Sequence, residues 1–174
     1  RMDYFFVQSA YEQANPSSLG DLSPPVYYWH GNEPDMQTAY MYIDLGRPDL
    51  AQKWARWVVD WHYDDTPAGI PGNDDCGTMG SWYVFTALGL FPLPGKDFYY
   101  LGSPIFPEAQ VKTKDGTLRI IAQNTGPENI YVQQVSFNGA PLDKPWIKHS
   151  EIAGGGTLEF VMGSQPSQWG RFEP

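Results

Sequence analysis

The spacing of apolar side chains predicts helices in the first half of the chain. Residues 48–63 place apolar side chains three and four positions apart, which is the period of an amphipathic helix. Residues 34–46 and residues 79–89 predict two further helices; the first opens on a proline, and the second ends at Gly89, a residue suited to a helix end. Residues 1–30 are poorly periodic.

After the proline- and glycine-containing segment "FPLPG", the pattern changes to short runs of β-forming residues separated by turns. One hairpin is predicted around Asp115 and Gly116, and a second turn at Asn138 and Gly139, because Asp-Gly and Asn-Gly pairs suit two-residue hairpin loops. The run "TLEFVMG" reads as a last strand. The second half is therefore predicted to be rich in strands.

Helices followed by strands predict an α+β fold. We expect a helical part over residues 1–91 and a β-rich part over residues 92–174, as two layers or two domains that meet near residues 92–100. Proline, serine and glycine in residues 15–25 predict a loop.

Composition narrows the function. Aromatic residues make up 16% of the chain, and flat side chains of this kind form both cores and the walls of sugar-binding pockets. The net charge of −9 without a basic cluster argues against a nucleic-acid partner. The single cysteine, Cys76, excludes an internal disulfide, and the three histidines lack zinc-site spacing. We find no apolar run long enough to cross a membrane and no signal peptide, and expect a segment of a longer protein.

Two acids stand side by side in the loop "GIPGNDDCG" before the third predicted helix. Neighbouring side chains rarely aim at one point, so we expect Asp74 and Asp75 to divide the work, one facing a site and the other supporting the loop. The simpler alternative is that either acid only caps the helix, because aspartate is a favoured N-cap.

A second polar cluster lies in "YYWHGNEPDMQ", at the start of the first predicted helix. Its amide and carboxylate oxygens are the hard ligands that calcium takes, and they could equally hold sugar hydroxyls. Two acidic loops on one chain suit glycoside hydrolysis, which needs two carboxyl groups on opposite sides of the scissile bond.

Long motifs resemble one family in the same order: "WHGNEPDMQTAYMYIDLGRPDLAQKWARWVV", "TPAGIPGNDDCGTMGSWYVFTALGLFPLPG", "YYLGSPIFPEAQV" and the run from "NTGPENIYV" to "LEFVMG". They resemble the C-terminal part of glycoside hydrolase family 92, from about Tyr27 onward. The resemblance implies a calcium-dependent, inverting exo-α-mannosidase acting on terminal mannose, with α-1,2 linkages as the expected target. It also implies the last helices of an (α/α)6 barrel followed by a strand-rich tail.

The resemblance assigns the catalytic base to Asp75, the last acid before the x-Gly of its loop, with Asp74 as the weaker catalytic candidate. It implies an ionised Asp75, kept charged by the cation and by loop N–H groups. An acid that often assists the base is replaced here by Asn73, which is then expected to contact substrate.

The remaining implied site residues lie in the earlier loop. Asn32 and Glu33 match residues near calcium and mannose, so they are expected to bind both. Trp29 and His30 are expected to line the same pocket.

The family's general acid lies in an upstream motif that this chain lacks, and "YEQANP" echoes it only superficially. The N-terminal β-sandwich and most of the barrel are likewise expected to lie outside this chain. The implied partners are mannose-containing glycans and the rest of the same enzyme, in an extracellular or periplasmic setting.

Two other functions stay open at this level. The chain could be a calcium-dependent carbohydrate-binding module without chemistry, or an interaction domain in which the acids serve as caps. A serine hydrolase is disfavoured because the chain has no G-x-S-x-G motif.

Overall fold

The computed structural model describes residues 1–15 and 27–173. The predicted loop at residues 15–25 lies outside the described residues apart from Asn15. In chain order the elements are α1 (Met2–Ala14), a 3-10 turn (Glu33–Asp35), α2 (Met41–Asp44), α3 (Pro48–His62), α4 (Thr78–Ala87), β1 (Leu90–Pro92), β2 (Phe98–Leu101), β3 (Glu108–Lys112), β4 (Thr117–Gln123), β5 (Tyr131–Phe137), β6 (Ala140–Pro141), β7 (Trp146–Lys148), α5 (His149–Ile152) and β8 (Gly156–Gly163). The predicted α+β order of helices followed by strands is confirmed.

The helices α3 and α4 form where the sequence predicts them. Helix α3 begins at Pro48 and buries Ala51, Trp54, Ala55 and Val58. Helix α4 ends before Gly89, which takes the left-handed conformation at φ 76°. Periodicity therefore predicts α3, and the end signal at Gly89 predicts where α4 stops.

Helix α1 lies in the segment that showed little periodicity. It is held by tertiary packing, because Phe6 is fully buried and stacks on Trp54 with ring centroids 4.9 Å apart. Its other side leaves Tyr4 and Tyr11 exposed, so apolar residues stand on both sides and no clear stripe appears in the sequence.

The continuous helix predicted over residues 34–46 is wrong. The chain forms the 3-10 turn, then single turns, and only the short helix α2. Tertiary contacts replace the helical bonds: the Met36 carbonyl accepts the Trp82 indole N–H at 2.8 Å. Tyr40 stacks on Phe91 at 4.2 Å.

Two sheets organise the second half. Strands β1, β2 and β7 form an antiparallel sheet in that order, and the larger sheet has the order β3-β4-β8-β5-β6, with β4 and β8 parallel. The hairpin predicted at Asp115 and Gly116 joins β3 to β4. Asn138 and Gly139 connect β5 to β6 with φ of 50° and 80°, so both predicted turns are confirmed.

Buried apolar side chains of the described residues form two clusters with the small sheet between them. Phe91 and Tyr100 join the helical cluster, whereas their neighbours Leu90 and Leu101 join the cluster of the larger sheet. Alternate residues of β1 and β2 thus face opposite cores. The division at residues 92–100 stays a prediction. No helix in the two described ranges has the length and apolar character needed to span a bilayer.

Candidate active site

The first loop of the site is a tight turn that begins at Trp29. The Asn32 amide donates to the Trp29 carbonyl at 3.1 Å, and the Asn32 side-chain amide donates to Asp35 Oδ2 at 3.1 Å. The 3-10 turn follows at once, with Pro34 in its first turn. This leaves the Asn32 side-chain oxygen and the exposed Glu33 carboxyl at the surface.

The second loop enters α4 through three consecutive left-handed residues. Asp75, Cys76 and Gly77 have φ of 49°, 60° and 90°. A left-handed conformation is costly for residues other than glycine, and is tolerated best by aspartate and asparagine. The path therefore places Asp75 outside the line of the helix.

Asp74 supports the helix instead. Its Oδ1 accepts the Gly80 amide at 2.9 Å, and its carbonyl accepts the Thr78 amide at 2.8 Å. These contacts satisfy free N–H groups at the start of α4. The two neighbouring acids thus take different positions, as their adjacency led us to expect.

Glycines allow the two loops to touch. A Cβ on Gly31 would lie 2.8 Å from the Trp29 ring and 3.0 Å from the Pro71 carbonyl oxygen. A Cβ on Gly72 would lie 3.4 Å from the Gly31 Cα. Larger residues would push the loops apart, so these positions bring the first loop against the second.

The carboxyl groups of Glu33 and Asp75 lie close enough to shift each other's pKa. The hydrogen bond with Glu33 raises the pKa of Asp75, with desolvation and the charges of Glu33 and Asp74 acting in the same direction. A bond to its own backbone N–H and the bond with Asp75 lower the pKa of Glu33. The two carboxyl groups thus shift each other's pKa in opposite directions.

That Asp75 is kept charged by a cation and by loop N–H groups stays a prediction. The nearest groups are acids rather than cations, and like charges at close range disfavour full ionisation. A cation at the pair would reverse this direction.

A cleft of about 570 Å³ is lined by Glu33 and by Cys76, the neighbour of Asp75, whereas Asp75 itself is not among its lining residues. Glu33 and Cys76 stand at its edge, and Trp82, Phe85 and Phe91 form an aromatic wall. The sequence analysis did not single out this wall. Its signal is the helical spacing of the α4 residues that line the cleft, Thr78, Ser81, Trp82 and Phe85, which share one face.

The substrate-binding residues expected from the sequence divide into two groups. Trp29 and Asn73 are exposed, as a ligand contact requires. His30 is fully buried, with Nδ1 2.6 Å from the Tyr28 hydroxyl and Nε2 2.7 Å from the Tyr63 hydroxyl. Because both ring nitrogens are engaged, His30 offers none to a ligand in this arrangement.

The oxygen atoms of these side chains are of the type that a hard cation prefers. Asn32, Glu33 and Asp75 supply amide and carboxylate oxygens, the ligands that calcium prefers, and the Glu33–Asp75 repulsion would be relieved by positive charge. Within residues 1–15 and 27–173, however, no three His, Cys, Asp or Glu side chains stand close enough to hold a metal. Calcium takes six to eight oxygens, so these residues would form only part of its shell.

Comparison with known proteins fits this geometry. Residues 1–164 match the glycosyl hydrolase family 92 catalytic domain. An uncharacterized secreted glycosidase of Arthroderma benhamiae is 39% identical over 144 residues, which cover 80% of this chain and 19% of that protein. The chain belongs to glycosyl hydrolase family 92, as its motifs indicated.

Solved structures of the family share the fold. The family GH92 alpha-mannosidase BT3965 from Bacteroides thetaiotaomicron, in complex with mannoimidazole, aligns with a TM-score of 0.79 at 39% identity, over 83% of this chain and 19% of that one. The family GH92 inverting mannosidase BT2199 from the same species aligns with a TM-score of 0.78 at 31% identity, over 84% of this chain and 21% of that one. The chain thus spans about a fifth of the length of these relatives.

Proposed function

We propose that this chain forms part of the catalytic domain of a calcium-dependent, inverting exo-α-mannosidase that removes terminal mannose, α-1,2-linked above all, from glycans. The observation that carries the proposal is the Glu33–Asp75 carboxyl pair, brought together by two loops at the edge of an aromatic cleft. Relatives over most of this chain are an alpha-mannosidase and an inverting mannosidase by name.

In the proposed mechanism Asp75 is the general base. Its exposed carboxylate accepts a proton from the water that attacks the anomeric carbon. Glu33 raises the pKa of Asp75, so the environment of this pair tunes the base. Asp74 supports the base from the start of α4.

The remaining site residues are proposed to bind calcium or the sugar. Asn32 and Glu33 would hold calcium together with ligands outside this set, and Trp29 and Asn73 would contact the sugar. A bound calcium ion supplies positive charge that grips sugar hydroxyls and favours ionised carboxylates. The general acid is assigned to another part of the enzyme, on the family resemblance.

The proposed domain organisation rests on the same family resemblance. Residues 1–91 would end an (α/α)6 barrel and residues 92–174 would form its β-rich continuation, with the other parts of the same enzyme as partners. We place the enzyme in an extracellular or periplasmic setting, because a relative 39% identical is named a secreted glycosidase.

Hydrolysis of an aryl α-mannoside by the enzyme that contains this chain tests the proposal. We expect β-mannose as the first product in proton NMR spectra, since water attacks opposite the leaving group. Asp75→Asn should lower kcat at least about 1,000-fold while KM changes little, as for loss of a base that acts only in the transition state. Asp74→Asn, the adjacent matched change, should cost far less. Turnover near the wild-type level in Asp75→Asn would remove that residue from the base role.

Calcium is tested separately. Chelation should abolish turnover, and Glu33→Gln should weaken calcium and sugar binding together in calorimetry. Unchanged affinity for both would assign Glu33 to the turn alone.

A non-catalytic carbohydrate-binding module is the second candidate, favoured by the exposure of both carboxyl groups and by the lack of the general-acid motif in this chain. It requires calcium-dependent binding of methyl α-mannoside by an enzyme preparation in which no α-mannoside is hydrolysed.

A further inference from the structure

A chain of buried and half-buried hydrogen bonds links Tyr28, His30 and Tyr63. The Tyr28 hydroxyl lies 2.6 Å from His30 Nδ1, and His30 Nε2 lies 2.7 Å from the Tyr63 hydroxyl. The Tyr63 hydroxyl donates onward to the Met79 carbonyl at 3.1 Å. We call Tyr28, His30 and Tyr63 the buried relay.

The partners of the two hydroxyls favour one tautomer of His30. A hydroxyl has one proton, so a Tyr63 that donates to the Met79 carbonyl accepts from His30 Nε2–H. In that tautomer Nδ1 accepts the Tyr28 proton at 2.6 Å. In the opposite tautomer the Tyr28 proton would have no acceptor among the described residues.

The buried relay joins the two loops of the site. His30 precedes Asn32 and Glu33 by two and three residues. Met79 lies in the first turn of α4, and its amide donates to the Asp74 carbonyl at 3.2 Å, next to Asp75. One end of the buried relay therefore holds the loop that carries Glu33, and the other end holds the loop that carries Asp75.

Packing makes this connection rigid. The His30 ring centroid lies 4.2 Å from that of Trp82, and the Tyr63 ring stacks on the same indole within 4° of parallel. Trp82 also forms the cleft wall. Few other arrangements fit, because a buried polar group that loses its partner costs free energy.

We propose that His30 is a positioning residue: through the buried relay it fixes the separation of the Glu33 and Asp75 carboxyl groups. Its effect on catalysis rests on the proposed function. The geometric claim does not, so the two can fail independently.

The test compares two tyrosines. Tyr63→Phe removes the hydroxyl that accepts from His30. Tyr40→Phe is the matched control, because the fully buried Tyr40 hydroxyl donates to Thr86 Oγ1 at 3.1 Å in the same helical core without touching either loop. Each variant loses one hydrogen-bonded hydroxyl, of a half-buried Tyr63 or of a fully buried Tyr40, so we expect a fall in Tm in both.

Nitrogen-15 NMR of histidine side chains reads the tautomer. We expect Nε2–H in the wild type, and a shifted Nε2–H signal in Tyr63→Phe only, because that proton has lost its acceptor. Amide signals of Asn32, Glu33 and Asp75 should shift, and the Asn32 and Glu33 amides should exchange with solvent at least about tenfold faster, again in Tyr63→Phe only.

Nδ1–H in the wild type would overturn the proposal, as would unchanged loop amides in a Tyr63→Phe variant. If Tyr63→Phe does not fold, Tyr28→Phe removes the other end of the buried relay and should move the same amides. For an active enzyme, Tyr63→Phe should lower kcat more than it raises KM, with Tyr40→Phe near wild type. Absence of mannoside hydrolysis in the wild type would end the proposed function while the NMR result still decides the role of His30.

Discussion

His62 should make the stability of the protein depend on pH. The residue ends helix α3, and its ring meets Trp57 edge-on at 5.2 Å. Its Nε2 is shielded from solvent without a hydrogen-bond partner among the described residues. Burial lowers the pKa of His62 from 6.5 to about 4, because an imidazolium ion here would lose its hydration.

The sign and size of the His62 contribution to the free energy of unfolding follow from proton linkage. The folded pKa lies below the unfolded one, so the unfolded chain takes up its proton first. The contribution is fully present above pH 6.5 and is lost as the pH falls from 6.5 toward 4. Between pH 8 and pH 5 it amounts to at most about 2 kcal/mol, and it levels off near 3 kcal/mol below pH 4.

Urea unfolding followed by tryptophan fluorescence measures this loss. His62→Phe removes the titrating group and keeps a flat ring against Trp57. We expect the free energy of unfolding of this variant to fall by about 2 kcal/mol less than that of the wild type between pH 8 and pH 5. His149→Gln is the control, since the His149 ring is exposed.

The measured quantity is the difference in pH dependence between wild type and His62→Phe. Any change in stability at pH 8 caused by the larger phenylalanine ring cancels when each protein is compared with itself at the two pH values. His30 has a pKa lowered to about 3 and contributes a further loss to the wild type and the variant alike. Equal pH dependence of wild type and His62→Phe would refute the reasoning.

Three further substitutions test the packing, each by urea unfolding at pH 7. Gly46→Ala should cost about 1–3 kcal/mol, because Gly46 has φ of 67° and a Cβ would lie 1.8 Å from the Phe172 carbonyl oxygen; wild-type stability would mean that the C-terminal segment does not pack there. Phe160→Ala should cost about 3–5 kcal/mol, since Phe160 is fully buried in the larger-sheet core, and a loss below 1 kcal/mol would contradict that burial. Asp49→Ala should cost about 1–3 kcal/mol because it leaves two arginines unpaired, Arg47 at 2.8 Å and Arg171 at 3.0 Å, and an added Arg171→Ala should then change little.

The sequence predicts elements that depend on local signals. Helix α3 follows from its periodicity, and the Asn138–Gly139 turn follows from the preference of that pair for positive φ. Prediction from the sequence fails where contacts between residues far apart in the chain determine the backbone conformation. The Met36 carbonyl is bonded to the indole of Trp82, 46 residues away, and no local pattern reveals that.

The site shows the same division. Adjacent acids predict that one of Asp74 and Asp75 faces a site and the other is structural; Asp74 binds the Gly80 amide, and the site-facing role of Asp75 stays a prediction. The raised pKa of Asp75 required knowing that Glu33 lies beside it. The interior position of His30 depends equally on Tyr63, which is 33 residues away.

The left-handed turn at Asp75 decides which mutation can be trusted to report on chemistry. Asparagine adopts positive φ about as readily as aspartate, so exchanging the two alters charge while the main chain keeps its path. Alanine or a branched residue at this position would pull the backbone toward another conformation and displace the neighbouring thiol of Cys76 with it. An inactive alanine variant would therefore confuse a deformed loop with a missing proton acceptor, and an inactive asparagine variant would not.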